Sequence, residues 1–363
     1  MTRITHLCDP MRLFSLLAIG LVAITTSSAQ VSGTWKVTGS MNNMRIYHTA
    51  TLLANGDVLV AGGINPTDGY LSSAELYNPA TGRWKSTGSM QIAREGHVAT
   101  LLENGLVLVA GGIDARGNIA ASAELYNPVT GTFTTTGSMG SARYDFTLTL
   151  LPRGDVLAAG GANQGRGGLS SAELYDPATG TWSASGRMTT GRYGQSATLL
   201  QDGQVLVAGN NTAEMYNPAT GKWTMTGDMP GYHQNAFAPL LPNGEVLVVG
   251  GDTNSYAELY NLSTGQFTAV GEPCDCDNFA VSLLGTGKVL VAGGTIGYHP
   301  STTPSAEIYN PSTQAWASTG SLITPRDSET MTTLLNGQAL VSGGEDISNG
   351  RATELATAEL YTP

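Results

Sequence analysis

Few side chains in this sequence could do chemistry, and most of them recur. Past residue 29 the only histidines are His48, His97, His233 and His299, and the only cysteines are Cys274 and Cys276. Tyrosine precedes histidine three times, at Tyr47-His48, Tyr232-His233 and Tyr298-His299. His233, Cys276, Asp277 and His299 fall in neighbouring stretches, and imidazole, thiolate and carboxylate together suit a transition metal. No close spacing such as His-x-x-x-His accompanies them, so no metal site and no catalytic residue is assigned. Cys274-x-Cys276 reads as a tight or an intermolecular disulfide in an exported chain. Arginine recurs at Arg45, Arg94, Arg143, Arg192 and Arg326, with His233 and Cys276 at the same place in two further copies. A glutamate column runs beside it: Glu75, Glu124, Glu173, Glu214, Glu258, Glu307 and Glu359. Two readings follow. The columns pair with each other and serve the repeat, or the guanidiniums form a ring that recognises carboxylates or acidic sugars.

The repeat that carries these columns aligns on Tyr77, Tyr126, Tyr175, Tyr216, Tyr260, Tyr309 and Tyr361, at spacings of 41 to 52 residues. That period, with Gly-Gly and aromatic markers, signals a propeller or a repeat array. Each copy offers four strands. The first alternates, as in His48–Leu53. A pair such as Asn55-Gly56 or Asn104-Gly105 then predicts a type I′ hairpin. A VLVAGG-like run reads as a strand buried on both faces. A third strand carries Ala-Glu-Leu-Tyr, and Asn-Pro-x-Thr-Gly leads into a fourth that begins with an aromatic such as Trp84 or Phe133. The chain stops at Pro363 before the last copy has a fourth strand. Gly33–Met41 matches Gly82–Met90, so the N-terminal segment is expected to complete that last sheet and remove its open edge.

The Gly-Gly, Glu-x-Tyr and aromatic pattern resembles the kelch repeat over residues 33–363. The resemblance implies an all-β fold: a seven-bladed β-propeller of four-stranded blades related to the galactose oxidase-like propellers. It also implies that first strands line a central channel and that the inter-blade and second-to-third-strand loops share one functional face. Copies 5 and 6 break the arginine rule, and the loop after Gly209 is short while those after Gly294 and Gly344 are long, so that face is expected to be lopsided. Galactose oxidase-like copper oxidases carry Arg-x-Tyr-His at a first strand, with the Tyr and His as copper ligands, and Arg45-Ile46-Tyr47-His48 matches. They also need a second tyrosine cross-linked to a cysteine. Arg326-Asp327-Ser328 supplies no tyrosine, Tyr193 is one position off, and Cys276 stands in the sixth copy.

The first thirty residues differ from the rest. Arg3 and Arg12 precede an apolar run from Leu13 to Ile24, then small residues, which reads as a signal peptide over 1–29 with a single propeller domain over 30–363. The apolar run is too short to span a bilayer. A formal net charge of −11 disfavours nucleic acid and anionic membranes as partners. No Walker or dinucleotide fingerprint is present. The expectation is a secreted or periplasmic monomer, without cofactor and not catalytic, that binds an extracellular protein or glycan. Its loop face would use Arg45, Tyr47, His48, Arg94, His97, Arg143, Arg192, Tyr193, His233, Asp277, His299 and Arg326. The alternative is a copper oxidase of sugars or primary alcohols.

Overall fold

Seven sheets of antiparallel strands stand side by side in a ring in the computed structural model, with no helix among the described residues. It describes residues 33–363 apart from 166, 252–255, 275, 297–300 and 349; the leader-like segment, Tyr298 and His299 lie outside the described residues. Blade 1 runs Thr49–Leu52, Val58–Ala61, Ala74–Asn78 and Arg83–Ser86 from channel to rim. Blades 2, 3, 4 and 6 repeat that order. In blade 7, Thr34–Val37 pairs with Ala358–Thr362, with Trp35 opposite Tyr361. The expected closure by the N-terminal strand is therefore present, and it leaves no open edge at the seam. Blade 5 departs from the expected four strands. Its innermost segment forms bridges Phe237↔Val249 and Leu240↔Val246 rather than a continuous ladder; Pro239 between them accepts from Leu247 N but has no amide to donate in return.

The second strand of every blade is fully buried, as in Val58–Ala61, so it reads as a continuous apolar run rather than an alternating one. The cores lie between blades, not within them. Seven apolar clusters each join two neighbours, from Leu59, Met90 and Val107 between blades 1 and 2 to Met41, Val60 and Leu340 between blades 7 and 1. Each repeat buries its apolar face only against the next, which is why the array is stable as a closed set. Polar rivets follow the same seams. Tyr126 Oη meets Thr87 Oγ1 of the preceding blade at 2.8 Å, and Trp84 Nε1 donates to the Gly39 carbonyl at 2.7 Å.

The Asn-Gly hairpins differ from the type I′ expectation. In the first of them only Gly56 has a positive φ (88°). Gly56 N donates to Leu53 O and Leu53 N to Asp57 O, both at 2.9 Å. This is a three-residue loop, a type I turn closed by a left-handed glycine with a bulge. The Asn55 carboxamide accepts from Asp57 N, so its side chain props the turn instead of its backbone turning left-handed.

Candidate functional site

The arginine column is interior. Arg45, Arg94, Arg143, Arg192 and Arg326 are 0–1% exposed. Each pairs with the glutamate of its own blade's third strand at 2.6–3.1 Å. Arg94 also donates to the Gly111 and Ser122 carbonyls and to Ser122 Oγ. Glu124 in turn accepts from the amides of Gln91 and Ile92. The pair ties a blade's approach loop to its own second and third strands. Burial pulls the Arg94 guanidinium's pKa down, opposed by the Glu124 charge. These five side chains do not reach a ligand at the surface, which differs from the expected ring at the channel mouth. In blade 5, His233 takes the arginine's place: its Nδ1 meets the Gly250 carbonyl at 2.6 Å, and its Nε2 lies 3.6 Å from Glu258 Oε1. His233 is fully buried. In blade 6, Cys276 is bound to Cys274 in a disulfide, and Glu307 bonds Ser318 instead of an arginine.

What does face the channel mouth is set by a second column. Tyr47, Gly96, Asp145, Gly194, Asn235, Asn278 and Ser328, one per blade, all have φ between 49° and 61°. This left-handed residue ends the approach loop, and five of the seven are the Gly, Asn or Asp that tolerate it best. Its backbone joins the next blade: Gly194 N donates to Asp145 O and Asn235 N to Gly194 O. The residue that follows is a wedge against the preceding blade. His48 sits on Gly343, His97 on Gly62, Phe146 on Gly111, Gln195 on Gly160, Phe279 on Gly250 and Glu329 on Gly293. A Cβ on any of these glycines would fall within 3.0 Å of the wedge side chain.

Around this ring lies a cavity of about 510 Å³, lined among others by Tyr47, His48, Glu95, Tyr144, Asp145, Phe237, Glu329 and Thr330. Of the residues expected from sequence, it brings together only Tyr47 and His48. Tyr47 is 54% exposed, while Tyr193 is partly exposed outside the lining and His97 is buried. Asp277 bridges to Thr295 through its backbone. His48 Nε2 lies 3.1 Å from Thr330 Oγ1, and His97 Nε2 the same distance from Thr49 Oγ1. Burial and the neighbouring arginines hold both imidazoles down at about 3, so they are neutral.

The carboxyls at the mouth were not singled out by sequence. Glu329 is 8% exposed and its carboxyl has no side-chain partner, only the backbone amides of Glu329 itself and Ala280 nearby. Burial pushes its pKa up to about 8, only partly opposed by nearby amides and by Arg326. Two residues earlier, burial and the Glu345 charge push Asp327 up to about 7. Burial also raises Glu95, Asp145 and Glu345. The available signal was that Asp327 and Glu95 stand where blade 1 has Ile46, an apolar residue. The lopsided loop face is present: Glu345–Ser348 and Arg351–Glu354 form a hairpin at blade 7. It is fastened to blade 6 by Thr302 Oγ1, which donates to Asp346 Oδ1 at 2.6 Å.

Comparison with known proteins agrees with this architecture. The Kelch motif family matches residues 45–91. No curated protein matches the sequence. The fold is similar to a solved fungal alcohol oxidase of the AA5 family in complex with copper, with TM-score 0.76 and 17% identity, over 92% of this chain and 76% of that one. This corrects the expectation of a non-catalytic binding module, since the fold it was read from is one on which an alcohol oxidase is built. The copper centre is a separate question, decided by donors. Tyr47 and His48 are adjacent at the mouth, but His48 turns Nε2 to Thr330. Cys276 is bound to Cys274. The described residues hold no group of three or more His, Cys, Asp or Glu placed to share a metal ion. The residues present do not fit a copper-radical site, and no step is derived through one.

Proposed function

This chain is a kelch-repeat β-propeller, and from that premise we propose that its channel mouth is a small-molecule catalytic site in which Glu329 transfers a proton. One observation carries the reading: a nearly buried carboxyl lines an open cavity with no side-chain partner. A structural carboxylate at that depth would be paired, as Glu75, Glu124 and Glu359 are, because an unpaired buried polar group is costly. Held near pH 8, Glu329 keeps its proton at neutral pH and can give it to a leaving group, as a general acid must. Tyr47, Tyr144 and Phe237 give apolar walls that would position a small substrate.

The test is turnover of a panel of chromogenic esters and glycosides by wild type and Glu329→Gln, with melting temperature followed in parallel. Loss of about 10²–10⁴-fold in the variant with melting retained is expected, and the wild-type rate should fall above about pH 8. Turnover indifferent to the substitution, or none from the wild type on any substrate, would refute the reading. The Arg3, Arg12 and Leu13–Ile24 pattern supports export of the mature chain, which N-terminal sequencing of secreted protein would check by finding Gln30.

A further inference from the structure

Charge at the mouth is one-sided. Glu95, Asp145 and Glu329 line the cavity, and no lysine or arginine does. Glu345 and Asp327 extend the acidic arc into blade 7. Tyr47 feels the charges of Glu345, Asp327 and Glu95, and Glu95 feels that of Asp145, so the carboxyls form a continuous series around the Tyr47 ring.

One pairing in that series is unusual for this repeat. Asp327 and Glu345 face each other on an antiparallel bridge, with both N–H to O=C bonds at 2.9 Å. At the equivalent bridge, blade 1 has Ile46 and Ile64, blade 2 Glu95 and Ile113, blade 3 Tyr144 and Ala162, and blade 6 Asp277 and Thr295. Like charges directly opposite each other are destabilising. Asp327 is 3% exposed, and its Oδ1 has no partner. The cations behind it are already engaged: Arg326 with Glu359, Gly343 and Thr357, and Arg45 with Glu75, Gly62 and Ser73. His48 is neutral there. Nearby Glu354 adds negative charge to Glu345, and Arg351 on the same hairpin is exposed. Glu329, nearly buried and without a side-chain partner, lines the adjoining cavity together with Tyr47.

We infer that the mouth binds an organic cation, a protonated amine or quaternary ammonium, on the exposed face of Tyr47, held there by the negative charge of Asp327, Glu345 and Glu95 around it. Carboxylates supply the opposite charge and the exposed phenol ring a cation–π face. A bare metal ion fits less well, because the described residues hold no group of three or more ligating side chains with suitable placement. The inference rests on the mouth being a small-molecule site, but not on Glu329 moving a proton.

Calorimetry on the full chain at pH 8 tests it, with choline and benzylamine as probes, 3,3-dimethylbutan-1-ol as the uncharged isostere of choline, and calcium alone. The expected result is binding of choline or benzylamine, weaker by at least about tenfold in Asp327→Asn and in Glu345→Gln. The isostere should bind at least about tenfold more weakly than choline. Near-UV circular dichroism confirms that both variants fold, and Tyr47→Leu gives a third arm that leaves the carboxylates in place. Equal binding of the isostere, unchanged binding in both carboxyl variants, or displacement of choline by calcium alone would overturn the inference. Cation binding that survives Glu329→Gln, without turnover of any substrate, would sink the proton-transfer reading and leave this one standing. Turnover without cation selectivity would do the reverse.

Discussion

The Tyr column contains one broken rivet, and repairing it should stabilise the ring. Six of its hydroxyls meet a threonine or serine of the preceding blade at 2.7–2.8 Å: Tyr77, Tyr126, Tyr175, Tyr216, Tyr260 and Tyr361. Tyr309 has no such partner, because the position that holds Thr87 for Tyr126 holds Val270 for Tyr309. Burial, with the Glu245 charge, pushes the Tyr309 phenol up to about 12, so it remains neutral and orphaned. A buried unsatisfied hydroxyl costs about 1–3 kcal/mol. Val270→Thr keeps the shape and supplies the missing oxygen, while giving up one methyl that is only partly buried, worth less than about 0.8 kcal/mol. The net gain should be about 1 kcal/mol, or ~2 °C in melting temperature for a chain of this size. Calorimetric melting of four proteins checks it: wild type, Val270→Thr, Tyr309→Phe and Tyr126→Phe. Tyr126→Phe should lose about 1 kcal/mol, whereas Tyr309→Phe should lose nothing or gain. If Val270→Thr fails to raise melting and the two phenylalanine variants lose stability equally, the reasoning from paired hydroxyls is wrong.

Three further outcomes follow from buried ionisable groups. Arg94→Ala strands Glu124 in the interior and should cost about 3–5 kcal/mol, read by denaturant unfolding; a loss below about 1 kcal/mol would contradict the structural role of the column. Glu329, raised from 4.5 to about 8, favours the folded state fully below pH 4.5 and loses that contribution as pH rises through 8. Glu329→Gln should therefore flatten the fall in melting temperature between those values, and an unchanged slope would count against the shift. His97, depressed from 6.5 to about 3, works the other way: its contribution is present above pH 6.5 and lost as pH falls toward 3. His97→Gln, which copies Gln195 of blade 4, should move acid unfolding to lower pH, as measured by circular dichroism.

The fold was legible because the repeat states it many times over. The spacing of the tyrosines and the match of Gly33–Met41 to Gly82–Met90 were enough to place Thr34–Val37 in blade 7. The Arg–Glu columns were visible too, but their burial was not, since a residue recurring in every copy reads the same whether it serves the repeat or a ligand. Pro239 was in plain view, yet its effect on the blade 5 ladder depends on which amide the register requires. The mouth was harder still. Glu95, Asp145, Asp327 and Glu345 are far apart in the chain and share no motif, and only the ring of left-handed residues and the bridge register bring them around Tyr47. The Tyr-His dipeptides drew the eye instead, although His48 is spent on an inter-blade contact with Thr330.

These observations divide the repeat into positions that cannot vary and positions that can. The buried strand, the glycines under the wedges and the Arg–Glu pair each satisfy a constraint set by the same blade or the next, so a change at one needs a compensating change nearby. Where a copy departs, the structure shows the compensation or its absence: His233 Nδ1 still meets the Gly250 carbonyl, whereas Val270 leaves Tyr309 unpaired. The left-handed column and the wedge column are constrained differently. The first asks only for a backbone angle, and carries Tyr, Gly, Asp, Gly, Asn, Asn and Ser around the ring. The second asks only for bulk over a glycine, and takes His, Phe, Gln or Glu. Side chains at both columns border the same cavity. The seven-fold scaffold therefore leaves its chemistry free where the strands turn into the channel, and Tyr47, Asp145 and Glu329 are the choices this chain has made there.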